Sequence, residues 1–178
     1  MRASRVIGEH LPRIIDRDHR ELVARVSDAA LTAVEARQAA LRRSVIHNDA
    51  NDWNVLIDGN RIAGVIDFGD MVHSWTVADP AVAIAYGVLD NPDPLNAAAS
   101  FLRGYQTVCP LHDEELVALM PLVNLRLCMS ACIAAWQQQQ RPDDEYLAVS
   151  QAPIRRTLPR LAAIPAASAA QTLKSRAH

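Results

Sequence analysis

The chain has 178 residues, of which 50% are apolar and 21% are charged, and its formal net charge is −2. This composition is typical of one folded domain with a real core, and it excludes an intrinsically disordered chain. The weak net charge predicts no nucleic-acid partner and no binding to an acidic membrane surface.

Cysteine spacing and hydropathy limit the cellular locations that we expect for the chain. The three cysteines, Cys109, Cys128 and Cys132, have no paired CxxC spacing, which argues against a disulfide framework or a zinc site. The charged N-terminus has no long apolar run, so we expect no signal peptide. No stretch approaches the ~18 uncharged apolar residues of a membrane span. We therefore expect a cytoplasmic chain without a membrane partner.

The first part of the chain predicts one long helix. Residues 1–17 have weak periodicity and contain Pro12, so we treat them as a lead-in of uncertain structure. Residues 18–43 contain neither Gly nor Pro, and their apolar residues recur on one face at helical spacing. A helix over 18–43 follows from this pattern.

Residues 44–70 predict a loop, a hairpin and a second loop. Residues 55–57 are apolar, Asp58-Gly59-Asn60 is a turn signal, and residues 61–66 form the returning strand. Both flanking loops then emerge at the same end of the hairpin. Polar residues that are distant in sequence are therefore expected to lie close together.

The remainder of the chain predicts helices. Residues 71–80 have no regular pattern, and helical patterns cover about 80–89, 95–107, 113–139 and 143–164. Residues 165–178 are small and polar and predict a flexible tail. The sequence thus predicts an α+β, mostly helical fold, with one domain over residues 18–164 between the lead-in and the tail.

Three side chains in the two loops suggest phosphoryl transfer. The order His47-x-Asp49-x-x-x-x-Asn54, then a hairpin, then Asp67-Phe68-Gly69 places a carboxylate and two oxygen-bearing side chains together. Phosphoryl transfer needs a carboxylate to orient the attacking hydroxyl and oxygen ligands for magnesium. Each half of this pattern alone is weak evidence for phosphoryl transfer. Both halves in this order around one hairpin are a specific indication of it. We expect Asp49 to be the catalytic base, and Asn54 and Asp67 to be magnesium ligands.

The sequences HNDANDWNVL and GVIDFGDMV resemble the aminoglycoside phosphotransferase and choline kinase family, and within it the hydroxylysine-kinase-like branch. The specific match covers about residues 44–90. It implies a protein-kinase-like C-terminal lobe whose hairpin carries the catalytic loops. It also implies Mg²⁺ as cofactor, ATP as phosphoryl donor (GTP is the alternative), and a small hydroxyl-bearing acceptor that carries an amine. His47 would brace the catalytic loop and Asp79 would support it.

The chain departs from a complete kinase in the parts that grip the nucleotide. Such kinases have a glycine-rich loop over the phosphates and a strand lysine. The six glycines never occur as GxG, and the sole lysine, Lys174, follows the catalytic motifs. We therefore expect a C-lobe without an N-lobe, with weak or no activity alone.

Two other functions remain open at the level of the sequence. One is a non-catalytic pseudoenzyme or interaction module, and the other is a metal-dependent hydrolase that uses His47, Asp49, Asp67 and His73. Without an N-lobe, the hairpin at residues 53–66 should expose apolar side chains. That surface would support self-association or a missing lobe supplied by another chain.

Overall fold

The computed structural model describes residues 2–144 and 149–176. Over this part of the chain the fold is α+β and mostly helical, so the predicted fold class is confirmed. The helices are α1 (Arg2–His10), α2 (Arg17–Glu35), α3 (Ala78–Gly87), α4 (Pro94–Gln106), α5 (Asp113–Gln140), α6 (Gln151–Ala162) and α7 (Ala166–Arg176). The strands are β1 (Arg43–Ile46), β2 (Val55–Asp58), β3 (Arg61–Val65) and β4 (Val72–Trp75).

Helix α5 is the centre of the fold. Helices α1, α2, α3, α6 and α7 all pack against it, and its side chains Leu119, Val123 and Leu127 are completely buried. By length and composition alone α5 is long and apolar enough for a membrane span, but Arg126 interrupts it, so it contains no run of ~18 uncharged apolar residues. However, 67% of its most apolar window is buried inside the fold, as expected of a central core helix.

The four strands form two antiparallel ribbons. Strands β2 and β3 form the predicted hairpin, and Gly59 takes the left-handed conformation (φ 59°) that its turn requires. Strands β1 and β4 pair outside the hairpin, with Ile46 opposite Val72. The hairpin is thus nested between β1 and β4, which places its two connecting loops, residues 47–54 and 66–71, where the two ribbons meet. Strand β4 lies in a segment whose sequence predicts irregular structure.

The sequence boundaries of several helices need correction. Helices near 80–89, 95–107 and 113–139 are confirmed, but the helix expected over 18–43 ends at Glu35. The chain turns there so that Leu41 is buried and Arg42 reaches α5. The helix expected over 143–164 begins only at Gln151, and residues 145–148 of that expectation lie outside the described residues.

Both ends of the chain are more ordered than their sequences suggest. The lead-in, residues 1–17, includes helix α1, in which Ile7 is buried. The expected flexible tail, residues 165–178, includes helix α7, which packs against α4 and α5. Burial of Ala169 and Leu173 supplies the apolar contacts that fix this last helix.

The hairpin surface is apolar and exposed, as the sequence predicts. The exposed side chains on or beside it are Trp53, Leu56, Ile57, Ile62, Val65, Ile66 and Phe68. Ile62 is the most exposed of them at 73%. Since neighbouring exposed apolar side chains mark contact surfaces more often than isolated ones do, this surface is a candidate contact face.

Candidate active site

The two loops that carry the predicted catalytic residues are joined by backbone hydrogen bonding. The Ile66 N–H donates to the Asn54 carbonyl oxygen at 2.9 Å, one position beyond the β2–β3 pairing. Asp67 follows Ile66 directly, so it leaves the hairpin beside Asn54. The structure therefore brings the first loop (residues 47–54) and the second loop (residues 66–71) together.

His47 links the same two loops through both of its ring nitrogens. Its Nδ1 accepts from the Asp49 N–H at 3.3 Å, and its Nε2 lies 2.9 Å from the Ile66 carbonyl oxygen. Because a carbonyl oxygen only accepts, Nε2 carries the proton and donates it. The ring also meets Phe68 edge-on, with 5.0 Å between centroids. These contacts link the two loops and occupy both nitrogens that a metal would need.

Asp79 holds the backbone next to Asp49. It lies in the first turn of α3, and its Oδ1 accepts from the Asn48 N–H at 3.0 Å. Asn48 has a left-handed backbone (φ 67°), which asparagine tolerates better than most residues. The Asn48 side chain donates to the Asp70 carbonyl oxygen at 3.3 Å. Helix α3 and the second loop thus fix the bend that directs Asp49.

Both carboxylate oxygens of Asp49 accept hydrogen bonds. Oδ2 accepts from the amides of Asn51 and Asn54, each at 3.1 Å. Oδ1 accepts from an Arg126 Nη at 2.5 Å. The Asp49 and Arg126 side chains are each 22% exposed, so this ion pair lies at the edge of the core rather than in open solvent.

Arg126 is the site residue that the sequence analysis misses. It lies on α5, its Nε is 3.2 Å from the Tyr86 hydroxyl, and its guanidinium lies 5.4 Å from the centre of that ring. One signal was present in the sequence. Arg126 is the only charged residue between Leu116 and Trp136, in a stretch that is otherwise mostly apolar. A charge in the middle of a core helix requires a partner.

Asn54 and Asp67 offer oxygen atoms of the type that Mg²⁺ prefers. Asn54 is buried, and its amide nitrogen donates to the Asp49 carbonyl at 2.8 Å as well as to the carboxylate. The planar amide therefore turns its oxygen away from Asp49. Asp67 is exposed and has a left-handed backbone (φ 61°), and one of its oxygens accepts from the Gly69 N–H at 3.4 Å. This donor set fits a hard cation that completes its coordination with water and phosphate oxygens.

The metal-hydrolase alternative finds no ligand cluster. Within residues 2–144 and 149–176, no three His, Cys, Asp or Glu side chains converge as a metal site. His73 lies on β4 opposite Val45 and is exposed, whereas His47 uses both nitrogens in the loop. The geometry therefore does not favour the hydrolase reading.

A cavity of about 450 Å³ lies beside the first loop. Asn51, Asp52 and Trp53 line it on the loop side, and Arg126 lines it on α5. Its volume is in the range of small-molecule sites. Asp90 also lines the cavity, and hydrogen bonds from Arg156 lower the pKa of its carboxyl group. Asp90 is therefore a carboxylate that already has a cationic partner.

Comparisons with known proteins point to a family of phosphotransferases. The model of the phosphotransferase enzyme family matches residues 4–118, which is more than half of the chain. The chain is 34% identical over 120 residues to hydroxylysine kinase of Xenopus laevis, covering 61% of this chain and 32% of that protein.

Two further relatives extend the comparison. The chain is 30% identical over 142 residues to hydroxylysine kinase of Mus musculus, covering 74% of this chain and 38% of that protein. It is 30% identical over 113 residues to homoserine kinase of Pseudomonas aeruginosa (strain UCBPP-PA14), covering 60% and 35%. The chain therefore spans about a third of the length of the curated relatives it matches.

Proposed function

The chain belongs to the phosphotransferase enzyme family, and on that premise we propose that it carries the catalytic half of an ATP- and Mg²⁺-dependent small-molecule kinase. The observation that supports this most directly is the junction of the two loops. The Ile66–Asn54 backbone bond sets Asp67 beside Asn54, and the Asn54 amide is bonded to Asp49. The proposed base and the two proposed oxygen ligands thus lie in two loops that are joined at the base of one hairpin, which supports the proposal.

Asp49 is the proposed base. The acceptor hydroxyl oxygen attacks the γ-phosphorus of ATP, a new O–P bond forms, and the bond to the leaving ADP oxygen breaks. The hydroxyl proton passes to the Asp49 carboxylate and from there to water. Kinase catalysis of this kind depends mainly on positioning and on stabilising charge. The bonds from Asn51 and Asn54 to Asp49 Oδ2 supply that positioning.

Asn54 and Asp67 are the proposed holders of Mg²⁺. When bound, the cation neutralises charge on the phosphate oxygens. The residues of the chain contribute an amide oxygen from the first loop and a carboxylate from the second. His47 and Asp79 keep these loops in place through the Ile66 carbonyl and the Asn48 N–H.

The proposed acceptor is a hydroxyl-bearing amino acid. The matched relatives are named hydroxylysine kinase and homoserine kinase, and both named compounds carry a hydroxyl, an amine and a carboxylate. The cavity beside the first loop offers Arg126 for an anion and Asp52 for a cation. Its size suits a molecule of that class.

Turnover by these 178 residues alone is expected to be weak. The sole lysine, Lys174, lies on α7 and pairs with Asp113 at 2.7 Å. It is therefore already paired, and it lies far along the chain from the two loops. The alternative is a non-catalytic role, as a pseudoenzyme or interaction module. Such a chain would either keep its affinity for nucleotide or have lost it.

Calorimetric titration of Mg²⁺-ATP tests the proposal. We expect Asp67→Ala to weaken binding by at least about tenfold, which is about 1.4 kcal/mol. The matched control is Asp58→Ala, which removes the same charge at the far end of the hairpin and leaves the affinity unchanged. Absence of Mg²⁺-ATP binding, or equal losses in both variants, would contradict the assignment. If the unaltered chain phosphorylates hydroxylysine no faster than the Asp49→Ala variant does, the non-catalytic role is favoured.

A further inference from the structure

Arg126 connects the catalytic base to the acceptor cavity. Its guanidinium bonds Asp49 Oδ1 at 2.5 Å and also lines the cavity beside the first loop. Tyr86 holds it from the side, through a 3.2 Å contact between Nε and the hydroxyl oxygen. One side chain therefore faces both the base and the space where an acceptor would lie.

The contact with Arg126 restricts access to the Asp49 carboxylate. Oδ2 already accepts two hydrogen bonds, from Asn51 and Asn54, which is the capacity of its lone pairs. Oδ1 is therefore the oxygen left for the acceptor hydroxyl. Arg126 takes one of the two lone pairs of this atom, and its guanidinium lies against it, so it restricts the approach of the hydroxyl.

A second anion would relieve this restriction. Guanidinium groups pair with carboxylates through two parallel hydrogen bonds, and partial burial strengthens such a pair. A carboxylate bound in the cavity is able to take over the guanidinium contact of Asp49. The wall next to Arg126 is apolar, with Leu89, Met129 and Ile133, which suits the hydrocarbon arm of an amino acid.

We propose that Arg126 recognises the carboxylate of the acceptor, and that this carboxylate takes the place of Asp49 on Arg126, so that the base is released only when the acceptor is bound. This inference rests on the proposed kinase function and names the group that selects its substrate. Arg126 lies beyond residues 4–118, the part that the family model matches. Recognition of the carboxylate is therefore a property argued from this chain's own α5.

Paired ligands that differ only in the carboxylate test the proposal. Binding of homoserine and of 3-aminopropan-1-ol is measured by calorimetry in the presence of Mg²⁺-ATP. We expect the unaltered chain to prefer homoserine by at least about tenfold. Arg126→Gln should reduce this preference to about one, and Arg126→Lys should keep part of it because the charge remains. Arg17→Gln is the control, since it removes an arginine that pairs with Glu21 on the exposed surface of α2 and should leave the preference unchanged.

The release of the base has its own readout. The ¹³C signal of the Asp49 carboxylate, assigned by comparison with Asp49→Asn, should shift on addition of homoserine and stay in place with 3-aminopropan-1-ol. A preference near one in the unaltered chain, no binding of homoserine, or an equal preference in Arg126→Gln would overturn the inference. The Mg²⁺-ATP affinity of the same samples distinguishes failure of this inference from failure of the proposed function. If the chain binds Mg²⁺-ATP but shows one of these contrary results, only the role of Arg126 is wrong. If it does not bind Mg²⁺-ATP, the proposed kinase function is wrong too.

Discussion

Removal of the Glu115 carboxylate should loosen the connection between the first loop and the core. Glu115 lies in the first turn of α5 and is completely buried. It accepts from Arg42 Nε and Nη at 3.0 and 2.6 Å, and from the His112 N–H at 2.8 Å. Arg42 immediately precedes β1, which leads into the first loop. This ion pair therefore ties the helix that carries Arg126 to the strand that leads into the loop of Asp49.

The size of the effect follows from the burial of the two partners. Loss of one partner of a buried ion pair costs about 3–5 kcal/mol. The Arg42 side chain is 36% exposed, so water is able to solvate its guanidinium in part after the change. We therefore expect Glu115→Gln to lower the free energy of unfolding by about 3 kcal/mol, at the lower end of that range.

Urea denaturation measures this effect. With a slope of about 2 kcal/mol/M, a loss of about 3 kcal/mol moves the unfolding midpoint down by about 1.5 M. Glu114→Gln is the matched control, because Glu114 is the neighbouring carboxylate and its side chain is 55% exposed. We expect about 0.5 kcal/mol or less for that change. Equal midpoints for the two variants would refute the reasoning.

The same pair gives a defined dependence on pH. Burial alone would raise the pKa of Glu115, but the hydrogen bonds from Arg42 and the His112 N–H outweigh it and hold the pKa below its ordinary value. A lowered pKa in the folded state adds stability above the pKa of the unfolded chain, which is about 4.3. The difference in the free energy of unfolding between the unaltered chain and Glu115→Gln should therefore be constant from neutral pH to about 5. It should disappear in stronger acid.

Three further outcomes test other parts of the structure. Asp79→Ala leaves the Asn48 N–H without its carboxylate, so amide hydrogen exchange across residues 47–54 should quicken, and unchanged exchange would count against a supporting role. Burial raises the pKa of Cys132 to about 11, so a thiol reagent should label it more slowly than the partly exposed Cys109 in the native chain, as mass spectrometry would show. If the hairpin surface mediates self-association, Ile62→Lys should weaken it in sedimentation runs at rising concentration, whereas a chain that is monomeric at every concentration would contradict this.

Local patterns explain what the sequence predicts correctly. The hairpin follows from an Asp-Gly-Asn turn between two apolar runs, and Gly59 has the positive φ that this turn needs. Helix α4 begins at Pro94 after Asp93, whose side chain caps the helix by accepting from the Asn96 N–H. Such signals lie within a few residues of each other, so they are readable without knowledge of the fold.

Elements that depend on distant partners were not predictable in this way. Strand β4 exists because β1 pairs with it, and Ser44 lies opposite Ser74 across the whole nested hairpin. Helix α7 is rich in alanine and small polar residues, which resembles a loose tail in sequence. Its order comes from the burial of Leu173 against helices α4 and α5. In both cases tertiary contact decides what local composition leaves undecided.

The candidate site shows the same division between local and distant information. The spacing of Asp49, Asn54 and Asp67 indicates the type of chemistry, because these residues lie in two short loops around one hairpin. The partner of Asp49 lies 77 residues away on α5. A single charge in an apolar helix raises the question of a partner, but only the packing of α3 against α5 sets Arg126 beside the loop, with Tyr86 in contact. The motif supplies the proposed base, and the central helix supplies the arginine that is bonded to it.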